Sequence, residues 1–285
     1  MMATDPSALS VAELAARLDD KSLVVFDASY YLASAARDAR AEYRAGHIPG
    51  AAFFDIDALS DATSRLPHML LSPERFAAAM GRLGAGDADR IVVYDTSGTN
   101  FSAARAWWMF RIYGHDNVAL LDGGFAAWKR AGLPVEAGEA TRAPAHFTPR
   151  YRPELVRTLA EVRDSLDSGS AQVVDARSAG RFAGTEPEPR AGLRGGHMPG
   201  SRNVPYASFT GPDGLLLDRA GLEAKFREAG VDLDRPVIAS CGSGVTACTI
   251  LLALDLLGHE GHSLYDGSWT EWGSPESDAP VETAN

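Results

Sequence analysis

The feature that most constrains this chain is that it is written twice. Gly46-His47-Ile48-Pro49-Gly50-Ala51 returns 150 residues later as Gly196-His197-Met198-Pro199-Gly200-Ser201. Val25-Phe26-Asp27-Ala28 returns as Val173-Val174-Asp175-Ala176, and Leu121-Asp122-Gly123-Gly124-Phe125-Ala126-Ala127-Trp128 as Tyr265-Asp266-Gly267-Ser268-Trp269-Thr270-Glu271-Trp272. The capping boxes Ser10-x-x-Glu13 and Thr158-x-x-Glu161 are also 148 residues apart. Four matches in one order mean a duplicated domain. At 285 residues the chain has room for two cores. We expect domains over 8–138 and 154–285, joined by a proline-containing linker over 139–153.

Within each copy, apolar strands alternate with helices. Helices at Val11–Leu18 and Leu159–Leu166 precede strands at Leu23–Asp27 and Gln172–Asp175. Further strands are expected at Ile91–Asp95 and Pro236–Ser240, each before a longer helix, about Ser102–Tyr113 and Val245–Leu257. Strands at Val118–Leu121 and Ser263–Tyr265 complete the pattern. The fold class is therefore α/β, with two tandem domains, each a parallel sheet covered by helices on both faces. Ligands of such sheets sit at the carboxyl ends of the strands.

Apolar residues make up 45% of the chain and charged residues 23%, with a net charge of -11. That balance leaves no basic field for nucleic acid. The most apolar run, Thr249 to Leu257, is too short to span a bilayer and carries Asp255, so no membrane role is expected. Met1-Met2-Ala3-Thr4-Asp5-Pro6 has neither the cationic flank nor the apolar core of a secretion signal. Two cysteines seven residues apart on a helical path are too distant for a disulfide, which fits a reduced, cytoplasmic setting. The seven histidines are dispersed and no metal cluster appears. No phosphate-binding glycine motif is present either, so no cofactor is expected.

The chemistry concentrates at Cys241-Gly242-Ser243-Gly244-Val245-Thr246-Ala247. A thiol after a strand and before a helix faces free backbone N–H groups, a setting that favours thiolate. Gly242 and Gly244 let the loop wrap an anionic atom without Cβ clashes. Cys248, on the apolar helix, reads as core. A phosphatase with Cys, five residues, then Arg would need arginine where Ala247 stands.

This loop, with both His-x-Pro-Gly motifs and both Asp-Gly turns, resembles the tandem rhodanese family, and within it the 3-mercaptopyruvate sulfurtransferase branch. The resemblance covers roughly Val11 to Trp272. It implies a sulfur carrier on Cys241, a small-molecule sulfur donor, and a thiol acceptor such as thioredoxin. Gly242, Gly244, Val245 and Thr246 would line the donor. Arg181 and Arg190, in Gly180-Arg181-Phe182-Ala183-Gly184-Thr185-Glu186-Pro187-Glu188-Pro189-Arg190, would clamp the donor's carboxylate and keto oxygen. The alternative for these arginines is surface pairing with Glu186 or Glu188. The thiosulfate-using branch typically has basic residues directly after the cysteine, where this chain has Gly242 and Ser243. A Ser–His–Asp relay in the family would map to Ser243, His47 and Asp38, although His47 has a twin in His197, and a feature shared by both copies points to structure. Thr96-Ser97-Gly98 stands near the corresponding place in the first copy without a cysteine, so that copy would only wall the site. Thiosulfate as donor, and persulfide delivery to a protein acceptor, are the alternative readings.

Overall fold

The computed structural model describes residues 7–32 and 35–283. The stretch 1–6, read above for a secretion signal, lies outside the described residues. By packing, the chain divides into two compact units. Unit 1 comprises 1–60, 70–152 and 210–216, and unit 2 comprises 61–69, 153–209 and 217–285. Each unit thus takes one short segment from the other half of the sequence.

Unit 1 contains β1 (Ala8–Leu9), α1 (Val11–Ala15), β2 (Leu23–Asp27), α2 (Ala39–Ala45), β3 (Ala52–Phe53), α3 (Pro73–Arg82), β4 (Arg90–Tyr94), α4 (Phe101–Ile112), β5 (Val118–Leu121) and α5 (Gly124–Arg130). Its sheet has the order β1-β5-β4-β2-β3, with every pair parallel. Unit 2 repeats the plan with β6 (Val156–Arg157), α6 (Leu159–Ser168), β7 (Gln172–Asp175), α7 (Ala179–Ala183), β8 (Arg202–Asn203), α8 (Arg219–Glu228), β9 (Val237–Ser240), α9 (Cys248–Leu256), β10 (His262–Tyr265) and α10 (Ser268–Trp272). Its sheet order, β6-β10-β9-β7-β8, is the same and again wholly parallel.

Local chemistry explains the elements. Both capping boxes form: Ser10 and Thr158 each accept from the amide of a glutamate three residues on, and each glutamate reaches back. Pro73 starts α3 behind the Ser72 cap, and Phe76 and Met80 bury its inner face. In α8, Leu222 and Phe226 do the same. Nearly every residue of α4, and the first seven of α9, are buried, so these helices are enclosed all round rather than along one stripe. The central strands β2, β4, β7 and β9 run as continuous buried segments, as strands covered on both faces must. Trp107, Trp108, Trp128, Trp269 and Trp272 are all fully buried in packing positions.

The structure adds short edge strands and moves one helix start. The edge strands β1, β3, β6 and β8 are two residues each, too short to leave a period in the sequence. Helix α9 begins at Cys248 instead of Val245, because residues 242–247 are spent turning the backbone around the end of β9.

Candidate active site

Cys241 follows the last residue of β9 and is 2% exposed. Its loop is pinned from α10 by a residue that sequence reading passed over. Ser268 Oγ accepts from the amides of Cys241 and Gly244, at 3.1 Å each, and donates to the Tyr265 carbonyl at 2.7 Å. Ser268 is a non-glycine residue with φ of 50°. That strain persists because its hydroxyl is tied by three hydrogen bonds. The Cys241 carbonyl accepts from Trp269 N at 2.9 Å, and the Gly242 carbonyl from both the amide and the hydroxyl of Thr270. Gly244, with φ of +75°, supplies the left-handed turn the loop needs.

The remaining loop residues close around this frame. Val245 and Thr246 are buried, and their carbonyls accept from Cys248 N and from Thr249. Cys248 is buried on α9 with Sγ 3.3 Å from the Gly244 carbonyl, as a small core residue. Both cysteines are free thiols. Ser243 is buried, and its Oγ lies 2.9 Å from Nδ1 of His68. His68 belongs to the 61–69 segment of unit 2 and is itself buried, with φ of 59°.

The relay suggested by the family resemblance draws its residues from different units. His47 and Asp38 belong to unit 1. His47 is fully buried, with Nδ1 2.9 Å from the Tyr43 carbonyl and its ring stacked on Tyr43 at 4.2 Å. Its twin His197 repeats the arrangement, with Nδ1 2.9 Å from the Phe182 carbonyl and its ring stacked on Phe182 at 3.9 Å. Asp38 is the N-cap of α2, accepting from Ala41 N. All three side chains thus make local contacts inside their own units. The histidine that meets Ser243 is His68, and the first copy's equivalent hairpin has no histidine counterpart in the second, where residues 211–215 read Gly-Pro-Asp-Gly-Leu. A polar residue present in one copy alone was the available signal.

Arg181, on α7, packs directly against the loop: a Cβ placed on Gly242 would lie 3.0 Å from its Nη2. That approach is a reason for glycine at 242 beyond backbone freedom. The Arg181 side chain is 19% exposed and pairs with Glu188, which is 3% exposed, through Nη2 at 2.5 Å and Nε at 3.2 and 3.3 Å. Glu188 also accepts from Arg177 Nη1 at 2.7 Å. Arg177, unremarked in the sequence, is fully buried. It is bound by Asp175 and the Gly196 carbonyl, and its guanidinium lies 4.1 Å from the centre of the Trp269 ring. Arg190 is half-buried and makes no hydrogen bond or ion pair among the described residues. Glu186, the other expected partner, accepts instead from Ser178.

The first copy supplies an internal comparison. Asp95 follows β4 as Cys241 follows β9, and its carbonyl accepts from Phe125 N as that of Cys241 accepts from Trp269 N. The Asp95 carboxylate is buried and takes donors from Ser97 N and Oγ, Ser102 N and Oγ, and Ala103 N. This strand-to-helix loop therefore satisfies a buried anion with its own amides and hydroxyls. In unit 1 the anion is built in; in unit 2 a thiol stands at its place. Among the described residues no group of His, Cys, Asp and Glu is arranged to hold a metal ion, and no helix is long and apolar enough to cross a membrane.

The profile of the rhodanese-like domain matches residues 10–131 and again 158–275. The chain belongs to the rhodanese family. Human 3-mercaptopyruvate sulfurtransferase is 48% identical over 268 residues, which is 93% of this chain and 90% of that protein. The 3-mercaptopyruvate sulfurtransferase of Escherichia coli K12 is 46% identical over 272 residues, 94% of this chain and 95% of its own. Among solved rhodanese-fold structures, SseA from Escherichia coli, described as a 3-mercaptopyruvate sulfotransferase, superposes with a TM-score of 0.85 at 42% identity. The match covers 93% of this chain and 99% of that one.

Proposed function

We propose that this protein is a 3-mercaptopyruvate sulfurtransferase that carries sulfur as a persulfide on Cys241. The observation that carries the reading is a free, buried thiol on a glycine loop with a guanidinium, Arg181, packed against the residue beside it. The Cys241 thiolate attacks the thiol sulfur of the donor, and the carbon–sulfur bond breaks. The electron pair leaves on carbon as the enolate of pyruvate, which takes up a proton, while the enzyme keeps Cys241–S–SH. Arg181 and Arg190 bind the carboxylate and keto oxygen and so favour the enolate as its charge develops. Ser243, with His68 at 2.9 Å, passes a proton between donor and product, His68 taking the role that the family resemblance suggested for His47.

In the second half-reaction a thiol, such as that of reduced thioredoxin, takes the outer sulfur and restores the thiolate. Free cysteines suit a reducing compartment such as the cytoplasm for this exchange. Gly242 and Ser243 add no charge after the cysteine, which suits a monocarboxylate donor better than dianionic thiosulfate. Intact mass spectrometry after adding 3-mercaptopyruvate tests the reading. One added sulfur is expected on the native protein and none on Cys241→Ser, with pyruvate released in step. Sulfur found on Cys248, or persulfide formed faster from thiosulfate, would overturn it.

A further inference from the structure

We propose that Glu188 is a positioning residue that aims Arg181 at the sulfur donor, as the third member of an ion chain running from the sheet to the nucleophile loop. The proposal rests on the reading of Arg181 as a donor-binding residue.

The chain begins at Asp175, the last residue of β7, which holds Arg177 through Oδ2 at 2.9 Å from Nε and 2.7 Å from Nη2. Arg177 hands its Nη1 to Glu188 Oε1 at 2.7 Å, and Glu188 Oε2 takes Arg181 Nη2 at 2.5 Å. Asp175, Arg177 and Glu188 are buried, while Arg181 alone reaches partial exposure. The signs alternate, minus, plus, minus, plus, so the chain is neutral as a whole and presents its positive end to the loop. Arg177 cannot swing away, since the Gly196 carbonyl and the Trp269 ring hold its other faces.

The fork geometry says what Glu188 does for Arg181. A guanidinium offers five N–H groups on two bidentate edges. Glu188 occupies the edge formed by Nε and Nη2. The position of Gly242, whose added Cβ would be 3.0 Å from Nη2 and 4.0 Å from Nη1, shows that the other edge faces the loop. A donor carboxylate can then meet a fork already turned toward it, and the cost of ordering a long side chain is lowered in advance.

The first copy argues that the fold itself does not demand this chain. Asp27 matches Asp175 in strand register, yet Ser29 stands where unit 2 has Arg177, and Asp27 accepts from the Ser29 amide instead of from a guanidinium. The ion chain therefore belongs to the copy that has the nucleophile.

The test uses the full-length protein with Glu188→Gln and Glu188→Asp. KM and kcat are measured for 3-mercaptopyruvate, persulfide loading is measured with inorganic polysulfide, which has no carboxylate, and folding is checked by thermal unfolding. Glu188→Gln should raise KM roughly 10- to 100-fold with kcat changed by less than about 3-fold, while polysulfide loading falls much less. Glu188→Asp, which keeps the charge on a shorter stem, should recover part of the KM loss. If the Gln variant does not fold, a raised KM with retained kcat in the Asp variant supports the proposal on its own. Equal losses with both donors, or an unchanged KM in a folded variant, would show that Glu188 only holds the structure together. Native protein that loads from polysulfide but never from 3-mercaptopyruvate would overturn the donor reading, and the positioning role with it.

Discussion

Replacing Asp27 by Asn should stabilise the protein at neutral pH and lose that advantage as the pH falls. Asp27 ends β2 in unit 1, is buried, accepts from the Ser29 amide at 2.9 Å through one oxygen, and makes no hydrogen bond with Oδ2 among the described residues. Burial raises its pKa from 3.8 to about 6; hydrogen bonds from Ser29 and Tyr94 only partly offset this, and the nearby Asp95 charge adds to the rise. The sign follows directly. The native state binds this proton more tightly than the unfolded chain, so the favourable contribution is complete below pH 3.8 and is lost as pH rises through 6. A rise of this size corresponds to about 3 kcal/mol at ~1.36 kcal/mol per unit, of which roughly 1 kcal/mol is recovered between pH 7.5 and pH 5. Asn keeps the acceptor for Ser29 but buries an amide donor, which costs about 1–3 kcal/mol at either pH. The net effect at pH 7.5 is then a gain of up to about 2 kcal/mol, and the difference between the two proteins should shift by roughly 1 kcal/mol between pH 7.5 and 5. Urea unfolding followed by tryptophan fluorescence at the two pH values measures it, since Trp107, Trp108 and Trp128 lie in the same unit. A stability difference that does not change with pH would mean that Asp27 is ionised throughout, and the burial argument would fail.

Arg181→Ala and Arg190→Ala should each lower kcat/KM for 3-mercaptopyruvate by roughly 10- to 150-fold, with Lys restoring only part, as steady-state kinetics against enzyme pre-loaded with persulfide will separate donor from acceptor steps. Cys248→Ala should keep most activity, because its thiol is buried on α9 and its contact with the Gly244 carbonyl is a weak hydrogen bond; loss of persulfide in a folded variant would contradict this. The pair Gly242→Arg with Ser243→Lys should move preference toward thiosulfate but also weaken mercaptopyruvate binding, since a side chain at 242 meets Arg181 at 3.0 Å; donor competition assays read both effects. A fragment of residues 154–285 should be nearly inactive, because it lacks the 61–69 segment and with it His68; full mercaptopyruvate turnover by that fragment would remove His68 from the mechanism.

The sequence by itself determined the features that depend on neighbours along the chain. The repeats, both capping boxes, the central strands and the Cys241 loop are local: cap hydrogen bonds span three residues, strand burial reads as a short apolar run, and glycine spacing marks a turn. Arg181 was singled out through the family resemblance, and its packing beside Gly242 came from the fold. What only the tertiary structure decided are the pairings that close across long stretches of chain. His68 reaches Ser243 over 175 residues, from a segment that packs with the other half of the sequence, and no periodicity encodes that meeting. His47 was matched to the relay by the family resemblance, and both copies hold the histidine of this motif alike, the ring stacked on Tyr43 in one and on Phe182 in the other. Arg177 and Glu188 resemble ordinary surface charges in the sequence. They become an ion chain only when the sheet and the Trp269 ring exclude water around them, because a charge buried without a partner is too costly to keep and must be matched by opposite charges wherever the fold brings them together.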